Sequence, residues 1–198
     1  MAGGTKRLPR AIREQQMLDA AVKVFSEKGF HDTSMDAIAA AAQISKPMLY
    51  LYYGSKDELF SACILRESAR FLEALVPAGD PSLSPREQVR AGLLGFLGFV
   101  DQHRDSWLVL YRQALGQQPF AGQVNRARNR IIELVAGLLE SSSKNPEPGT
   151  NFNIMGVALV GAGEAVADRI ADGSIDVAEA ADLLEGLAWR GLAGKKPA

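Results

Sequence analysis

Apolar residues recur at intervals of three and four along most of the chain, the spacing that places them on one face of an α-helix. Breaks, most of which contain Gly, Pro or Ser, divide this pattern into nine stretches. No stretch requires a β-strand, so the sequence predicts an all-α chain. The predicted helices cover approximately residues 9–28, 33–42, 45–53, 55–76, 84–102, 104–115, 120–140, 152–171 and 177–192.

Local signals support several of these helix ends. Gly29 follows an inward-facing stripe in the first helix and is predicted to end that helix. Ser55 and Ser84 each have a glutamate three residues later, which is the capping-box pattern that starts a helix. Asp176 is expected to cap the last helix. The stripe of the first helix consists of Leu18, Ala21, Val22 and Phe25.

One short predicted helix has an outer face that suits docking. Ser45 is a good N-cap, and Pro47 fits the first helical turn, where its missing N–H has no intrahelical acceptor. Leu49 and Tyr53 fall on the side that can pack inward. The outward side carries Lys46, Pro47, Met48, Tyr50 and Tyr52. Together with the short helix and turn before it, this segment predicts a helix-turn-helix that enters a DNA groove.

Residues 12–60 match a known pattern at many positions in register. The matching residues are Ala20, Ala21, Phe25, Gly29, Phe30, Thr33, Ser34, Ile38, Ala39, Ser45, Lys46, Leu49, Tyr50, Tyr52, Tyr53, Ser55, Lys56, Glu58 and Leu59. In these residues the chain resembles the DNA-binding domain of the TetR family of transcriptional regulators. It departs from the family at Gln43 in the turn, where glycine is usual. If the turn needs a positive φ, a non-glycine residue costs roughly 1 kcal/mol there, which we interpret as tolerated strain.

The resemblance implies a domain organisation and a set of DNA contacts. A basic arm at 1–10 would precede a three-helix, helix-turn-helix DNA-binding domain at 11–58. Residues 59–198 would form a larger helical domain for ligand binding and dimerisation. The implied DNA-binding residues are Ser34, Ser45, Lys46, Pro47, Met48, Tyr50, Tyr52 and Lys56, with Ser34 and Lys56 on flanking phosphates. The chemistry fits, because Lys and Tyr donate to phosphate while Pro and Met can contact a thymine methyl group.

The net charge of −1 does not suggest a nucleic-acid partner, but the charges are unevenly distributed. Lys6, Arg7, Arg10 and Arg13 all precede the first acidic residue, Glu14. A basic N-terminal arm contacts phosphates or a minor groove in several helix-turn-helix proteins. The alternative is a frayed and solvated terminus.

The last two predicted helices are rich in small residues such as Gly161 and Ala181. Glycine inside a helix costs up to about 1 kcal/mol relative to alanine, so these residues predict close contact between helices. In the resembled family, the last two helices form a four-helix dimer interface with their twins. An intramolecular core would produce much the same pattern.

Aromatic residues in the larger domain favour an apolar or aromatic effector such as a fatty-acyl compound, although most of them could belong to the core. The predicted ligand site lies among Phe96, Val100, Trp107, Tyr111 and Asn129. An effector there could shift the long helix that begins at Ser55 and change the separation of two DNA-binding domains. Arg112, Arg128 and Glu164 are candidate ligand-orienting residues, with surface ion pairing as the alternative.

Other function classes find little support. The sequence has no apolar run of about 18 residues, so it predicts no membrane span. The N-terminus lacks the apolar core of a signal peptide, and a cytoplasmic protein is therefore expected. The single cysteine, Cys63, is interpreted as a small buried residue. His103 lies between Asp101 and Asp105, but residues two apart on a helix face different ways. No catalytic motif is found, and neither a cofactor nor a metal is expected.

Two hypotheses follow from the sequence. The first is a homodimeric, ligand-responsive transcriptional regulator, predicted to be a repressor that a small apolar effector releases from a palindromic operator. Its partners would be double-stranded operator DNA, the effector and a second copy of the chain, with no membrane. The alternative is a helical lipid-binding or small-molecule-binding protein without DNA function, which leaves Lys46, Tyr50, Tyr52 and Lys56 without a reason.

Overall fold

The computed structural model describes residues 9–118, 120–143, 146 and 148–189. Within these residues every regular element is helical, as the sequence predicts. The helices are α1 (Arg10–Asp32), α2 (Met35–Ala41), α3 (Lys46–Tyr52), α4 (Lys56–Ala74), α5 (Pro85–Gln102), α6 (Arg104–Trp107), α7 (Ala121–Ser142), α8 (Phe152–Ala171) and α9 (Val177–Leu187), with a 3₁₀ turn at Val76–Gly79 and a π-helix at Leu108–Ala114. Among the described helices, none combines the length and apolar character needed to cross a bilayer.

The chain forms two compact units. Of the described residues, the first unit comprises those within 9–67 and 105–120, and the second comprises those within 68–104 and 121–189. Helices α1 to α3 and the π-helix therefore belong to the first unit, and α5, α7, α8 and α9 to the second. Helix α4 begins in the first unit and ends in the second. A functional boundary between residues 58 and 59 stays a prediction.

The core of the first unit is aromatic and tightly buried. Phe60 lies at its centre, with ring centroids 4.8 Å from Phe25, 4.9 Å from Phe30 and 4.9 Å from Phe120. The predicted inward stripe of α1 is buried throughout. Cys63 is also fully buried, and burial raises the pKa of its thiol to about 12, so it is the inert small residue that the sequence predicted.

Gly29 interrupts α1, which confirms the predicted end of the first helix. Its φ of 81° and ψ of 163° lie outside the helical region, in a conformation open to glycine alone. A further helical turn follows and leads into α2. The Thr33 hydroxyl donates to the Gly29 carbonyl at 2.6 Å and so holds the chain on both sides of the break.

Gln43 is the described non-glycine residue with positive φ, at 55°. Its N–H donates to the Ala40 carbonyl and the Ile44 N–H donates to the Ala39 carbonyl, which is the hydrogen-bond pattern of a Schellman motif. The same pattern ends α8, where Gly173 takes the equivalent position with φ 76°. The strain predicted at Gln43 is therefore confirmed, and the motif explains why the chain accepts it.

The second unit brings its helices together at glycines. A Cβ on Gly156 would lie 2.8 Å from the Ile132 carbonyl oxygen, and one on Gly163 would lie 3.3 Å from the Phe96 ring. A Cβ on Gly95 would collide with the Ala74 carbonyl oxygen. These three positions need glycine because a neighbouring element passes against the helix. Two ion pairs, Arg86 with Glu185 and Arg90 with Asp182, fasten α5 to α9.

Three local expectations differ from the structure. The Ser84–Glu87 capping box is present, but in the predicted box at Ser55 the Glu58 carboxylate accepts from the Gly54 N–H instead of the Ser55 N–H. Ser45 precedes α3 as predicted, yet its side chain makes no capping hydrogen bond. Ala181 is fully buried within the unit, so it belongs to the intramolecular core. The predicted end of α9 at 192 lies outside the described residues.

The Gln43→Gly variant should be more stable than the parent protein by up to about 1 kcal/mol, because glycine removes the steric penalty of positive φ and only part of the gain is lost to the freer unfolded chain. The reverse change, Gly173→Gln, should destabilise the same motif at the end of α8. Urea unfolding with an unchanged m-value measures both. A loss of stability in Gln43→Gly would show that its side chain has a role that the motif does not explain.

Candidate functional sites

Helix α3 presents most of its side chains to solvent. Leu49 is its fully buried residue, and Tyr53, directly after the helix, is half-buried. Burial raises the pKa of Tyr53 to about 12, so its phenol stays protonated at neutral pH. Both residues lie on the inward side, as the sequence predicts. One anchor in a seven-residue helix leaves the rest of the surface available for docking.

The predicted DNA-facing residues are arranged on the other side of α3. Ser45, Lys46, Pro47 and Tyr50 are exposed, and Met48 and Tyr52 are half-buried. Leu51, which sequence reasoning missed, is 82% exposed. The spacing could have indicated this, because Leu51 lies one turn after the exposed Pro47 and only two residues from the buried Leu49, and residues two apart on a helix face different ways.

Lys46 is paired with an acidic residue. Its ammonium donates to Asp36 Oδ2 at 2.8 Å, and this hydrogen bond raises the pKa of Lys46. Both side chains remain largely open to solvent. A phosphate must therefore share the ammonium with Asp36 or replace the carboxylate, which lowers the net gain from that contact.

Ser34 has a local structural role beside its predicted phosphate contact. Its hydroxyl oxygen accepts from the Ala37 N–H at 3.1 Å and caps α2. The residue is exposed, and its hydroxyl hydrogen can still donate to a phosphate oxygen.

Lys56 occupies a different setting from the one the sequence suggested. Its ammonium donates to the carbonyl oxygens of Phe30 at 2.7 Å, His31 at 3.1 Å and Thr33 at 2.9 Å. It also lies 4.5 Å from the centroid of the Phe30 ring. Because an ammonium has three N–H donors, these three carbonyls occupy all of them. The geometry thus favours a structural role for Lys56 at the end of α1, and its phosphate contact stays a prediction.

The N-terminal turn of α1 touches α3, the recognition helix of the predicted helix-turn-helix. Arg13 Nη1 lies 3.9 Å from Met48 Sδ, and the guanidinium carbon of Arg10 lies 5.3 Å from the centroid of the Tyr52 ring. Arg10 also donates to Glu14 at 2.9 Å. Lys6 and Arg7, the other residues of the predicted basic arm, lie outside the described residues.

The candidate ligand residues fall in both compact units. Trp107, Tyr111 and Arg112 belong to the first, where the Trp107 and Tyr111 rings stack with centroids 3.8 Å apart. Phe96, Val100, Arg128, Asn129 and Glu164 belong to the second. There, Val100 is fully buried, Phe96 packs with its centroid 5.7 Å from Phe71, and Asn129 is exposed. Their assembly into one ligand site stays a prediction.

Arg128 and Glu164 form a two-pronged ion pair. Arg128 Nε donates to Glu164 Oε1 at 2.6 Å and Nη2 donates to Oε2 at 2.8 Å. The two residues do pair, as the alternative supposed, but the pair is largely buried in the second unit and does not lie at the surface. Sequence reasoning did not consider Gln123, whose buried Oε1 has no hydrogen-bond partner among the described residues.

Both parts of the chain match family models. Residues 17–63 match the model described as bacterial regulatory proteins, tetR family, and residues 85–191 match the tetracyclin repressor-like, C-terminal domain. The helix-turn-helix geometry of the first unit and the helical second unit agree with these matches. The chain belongs to the TetR family of transcriptional regulators.

Individual relatives extend this comparison. The HTH-type transcriptional activator FasR of Mycolicibacterium smegmatis is 29% identical over 195 residues, which cover 96% of this chain and 89% of FasR. The crystal structure of a TetR-like transcriptional regulator from Rhodococcus sp. RHA1 is 71% identical, with a TM-score of 0.89 over 96% of this chain and 100% of that chain. Bacillus subtilis FadR in complex with stearoyl-CoA shares the fold at 18% identity, with a TM-score of 0.74 over 89% of this chain and 98% of FadR.

Replacement of Lys46 and of Lys56 should affect different properties, DNA binding in the first case and stability in the second. Lys56→Met removes a cation that satisfies three carbonyls and should lower the free energy of unfolding by about 1–3 kcal/mol. Lys46→Met should leave stability nearly unchanged but weaken DNA binding, with a salt dependence shallower by about one unit for each half-site. Thermal unfolding and binding isotherms at several salt concentrations measure both. Equal effects of the two variants on both quantities would contradict the distinction.

Proposed function

We propose that the protein is a homodimeric transcriptional regulator that binds an inverted-repeat operator and releases or engages it in response to a small apolar effector. The observation that carries this proposal is the face of α3. That short helix is anchored by Leu49 and exposes cationic, hydroxyl and apolar groups to solvent. A helical carrier without DNA function gives no reason for such a surface.

The exposed groups suit the two parts of DNA recognition. Lys46 and the hydroxyls of Ser34, Ser45, Tyr50 and Tyr52 can donate to phosphate oxygens and so set the position of the helix. Pro47, Met48 and Leu51 offer apolar contact to thymine methyl groups in the major groove. The surface therefore supports both positioning and base reading.

Dimerisation is proposed through α8 and α9. One face of α8 carries exposed or half-exposed small and apolar residues at helical spacing: Ile154, Val157, Ala158, Gly161 and Ala165. A Cβ on Gly161 would meet no atom within 4 Å, in contrast to Gly156 and Gly163. On α9, Leu183 and Leu187 are also exposed. A contiguous apolar face of this kind is typical of an interface, and a second copy is the occupant that two-fold operator binding needs.

The effector class is proposed to be fatty-acyl. The aromatic residues of the predicted ligand site support it, and FadR, which shares the fold, binds stearoyl-CoA in its crystal structure. The prediction that the protein is a repressor comes from its resemblance to the TetR family, whereas the relative FasR is named as an activator. The sign of the effect on transcription is therefore to be measured with a reporter gene.

The function itself is tested by selection of duplexes from random-sequence DNA with the purified protein, followed by footprinting. We expect an inverted repeat with half-sites in successive major grooves, about 34–36 Å apart or somewhat more, because a two-fold dimer presents two α3 helices. Failure to enrich any sequence, or enrichment of a single half-site bound by a monomer, would contradict the proposal.

The dimer interface is tested by two leucine substitutions. Gly161→Leu should shift the protein towards monomer in analytical ultracentrifugation and weaken operator binding, while the monomer keeps its fold because the added side chain meets open space. Ala181→Leu overpacks a buried position and should instead lower the free energy of unfolding by about 1–3 kcal/mol. A Gly161→Leu protein that stays fully dimeric would remove α8 from the interface.

Control by the effector is tested by calorimetry. Mass spectrometry of compounds that copurify with the protein supplies the candidate, and stearoyl-CoA with free coenzyme A as control supplies a defined probe. Operator DNA and an inducer must weaken each other's binding by the same factor, because coupling between two sites is reciprocal. Equal affinity for the compound with and without operator would identify it as a passenger.

A further inference from the structure

We propose that the N-terminal turn of α1 is a second DNA-contacting element, in which Arg13 binds a phosphate and positions the side chain of Met48. This proposal rests on the proposed DNA-binding function. It differs from the basic-arm prediction because it assigns the contact to one residue inside a helix and links that residue to base reading by α3.

The geometry places the two arginines of this turn against α3. Arg10 and Arg13 are three residues apart and lie on neighbouring positions of one helical face. The face continues to Met17, which is fully buried. The core therefore fixes which way the turn points, and Arg13 reaches Met48 while Arg10 covers the Tyr52 ring.

The other cations near α3 are already engaged. Lys46 pairs with Asp36, the Lys56 ammonium serves three carbonyls, and Arg10 pairs with Glu14. Arg66, further along α4, holds Asp19 and Glu67. Arg13 has the Met48 sulfur as its hydrogen-bond contact, and no carboxylate pairs with it among the described residues. Among the described cations beside α3, Arg13 is therefore the one that a phosphate can bind without displacing a carboxylate or a carbonyl group.

The chemistry of arginine suits this position. A guanidinium has five N–H donors, and a thioether sulfur is a weak acceptor that takes one of them. The remaining donors can bind a phosphate in the bidentate manner that arginine favours. Arg13 is only half-exposed, so its side chain is held near α3 instead of sampling solvent freely.

The position of each cation matters for DNA affinity, because the N-terminal part of the chain has no strong positive field. Residues 1–58 contain eight basic and seven acidic side chains. Affinity for DNA must then depend on individual unpaired cations at the interface. The same guanidinium limits the conformations of Met48, a flexible side chain that could otherwise contact several neighbouring bases. Arg13 is therefore both a phosphate ligand and a positioning residue.

The test uses the full-length protein and a duplex selected from random-sequence DNA by the parent protein. Arg13→Ala should weaken binding about tenfold or more and make the salt dependence shallower by about one unit for each half-site. Lys23→Ala removes the same charge from an exposed position of α1 outside the recognition helix contact, and should change neither. Arg13→Lys should keep the salt dependence but select a less defined sequence, because lysine keeps the charge but lacks the forked donors that let Arg13 contact the Met48 sulfur and a phosphate together.

Each outcome decides between the possibilities. If the parent protein selects no duplex, the proposed function fails and this inference with it. If it selects an inverted repeat and Arg13→Ala behaves like Lys23→Ala, the inference is wrong while the function stands. A fall in the melting temperature of Arg13→Ala that fully accounts for the lost binding, with an unchanged salt dependence in the folded protein, would also overturn it.

Discussion

The break at Gly29 is the constraint on which the first unit depends. A helix that ends leaves carbonyl groups without intrahelical partners, and α2 starts only a few residues after this end. Three side chains satisfy the exposed backbone. Lys56 binds the carbonyls after the break, Thr33 binds the Gly29 carbonyl, and Gln113 bridges the two sides. The direction in which the chain enters the helix-turn-helix is fixed by these contacts.

Gln113 connects this break to a distant part of the sequence. Its Oε1 accepts from the Phe30 N–H at 2.8 Å, and its Nε2 donates to the Phe25 carbonyl at 2.9 Å. The π-helix that carries it is preceded by two more polar contacts within the first unit. Ser26 donates to Asp105 at 2.7 Å, and Ser106 donates to the fully buried Glu67 carboxylate at 2.6 Å. Because a buried carboxylate without partners is costly, these contacts favour one arrangement of residues 105–120 against α1 and α4.

Much of this fold could be predicted because its signals are local. Glycine at the end of α1, the capping box at Ser84 and the inward face of α3 are each written within a few residues of sequence. The strain at Gln43 was also predictable, because a helix that turns into a second helix commonly ends in a positive φ. These features need no knowledge of the rest of the chain.

The less predictable features depend on distant partners. Lys56 resembles a phosphate ligand in sequence, but its engagement with the end of α1 depends on the path of the chain around Phe30. Gly161 and Ala181 look alike as small helical residues, yet one faces open space and the other the core. The pairing of Arg128 with Glu164 joins residues on two helices, and the contact of Arg13 with Met48 spans 35 residues. Spacing along one helix cannot determine such contacts.

The most direct test of the role assigned to the Gly29 break is native-state hydrogen exchange at the Phe30 amide, which donates to Gln113. In a Gln113→Ala variant, exchange at Phe30 should accelerate about fivefold to tenfold, the effect of losing a hydrogen bond of about 1 kcal/mol, while the amides of α5 and α8 in the second unit keep their protection. Operator affinity should fall in the same variant. Unchanged protection at Phe30, with unchanged operator affinity, would contradict the claim that this contact holds the break and positions the recognition helix.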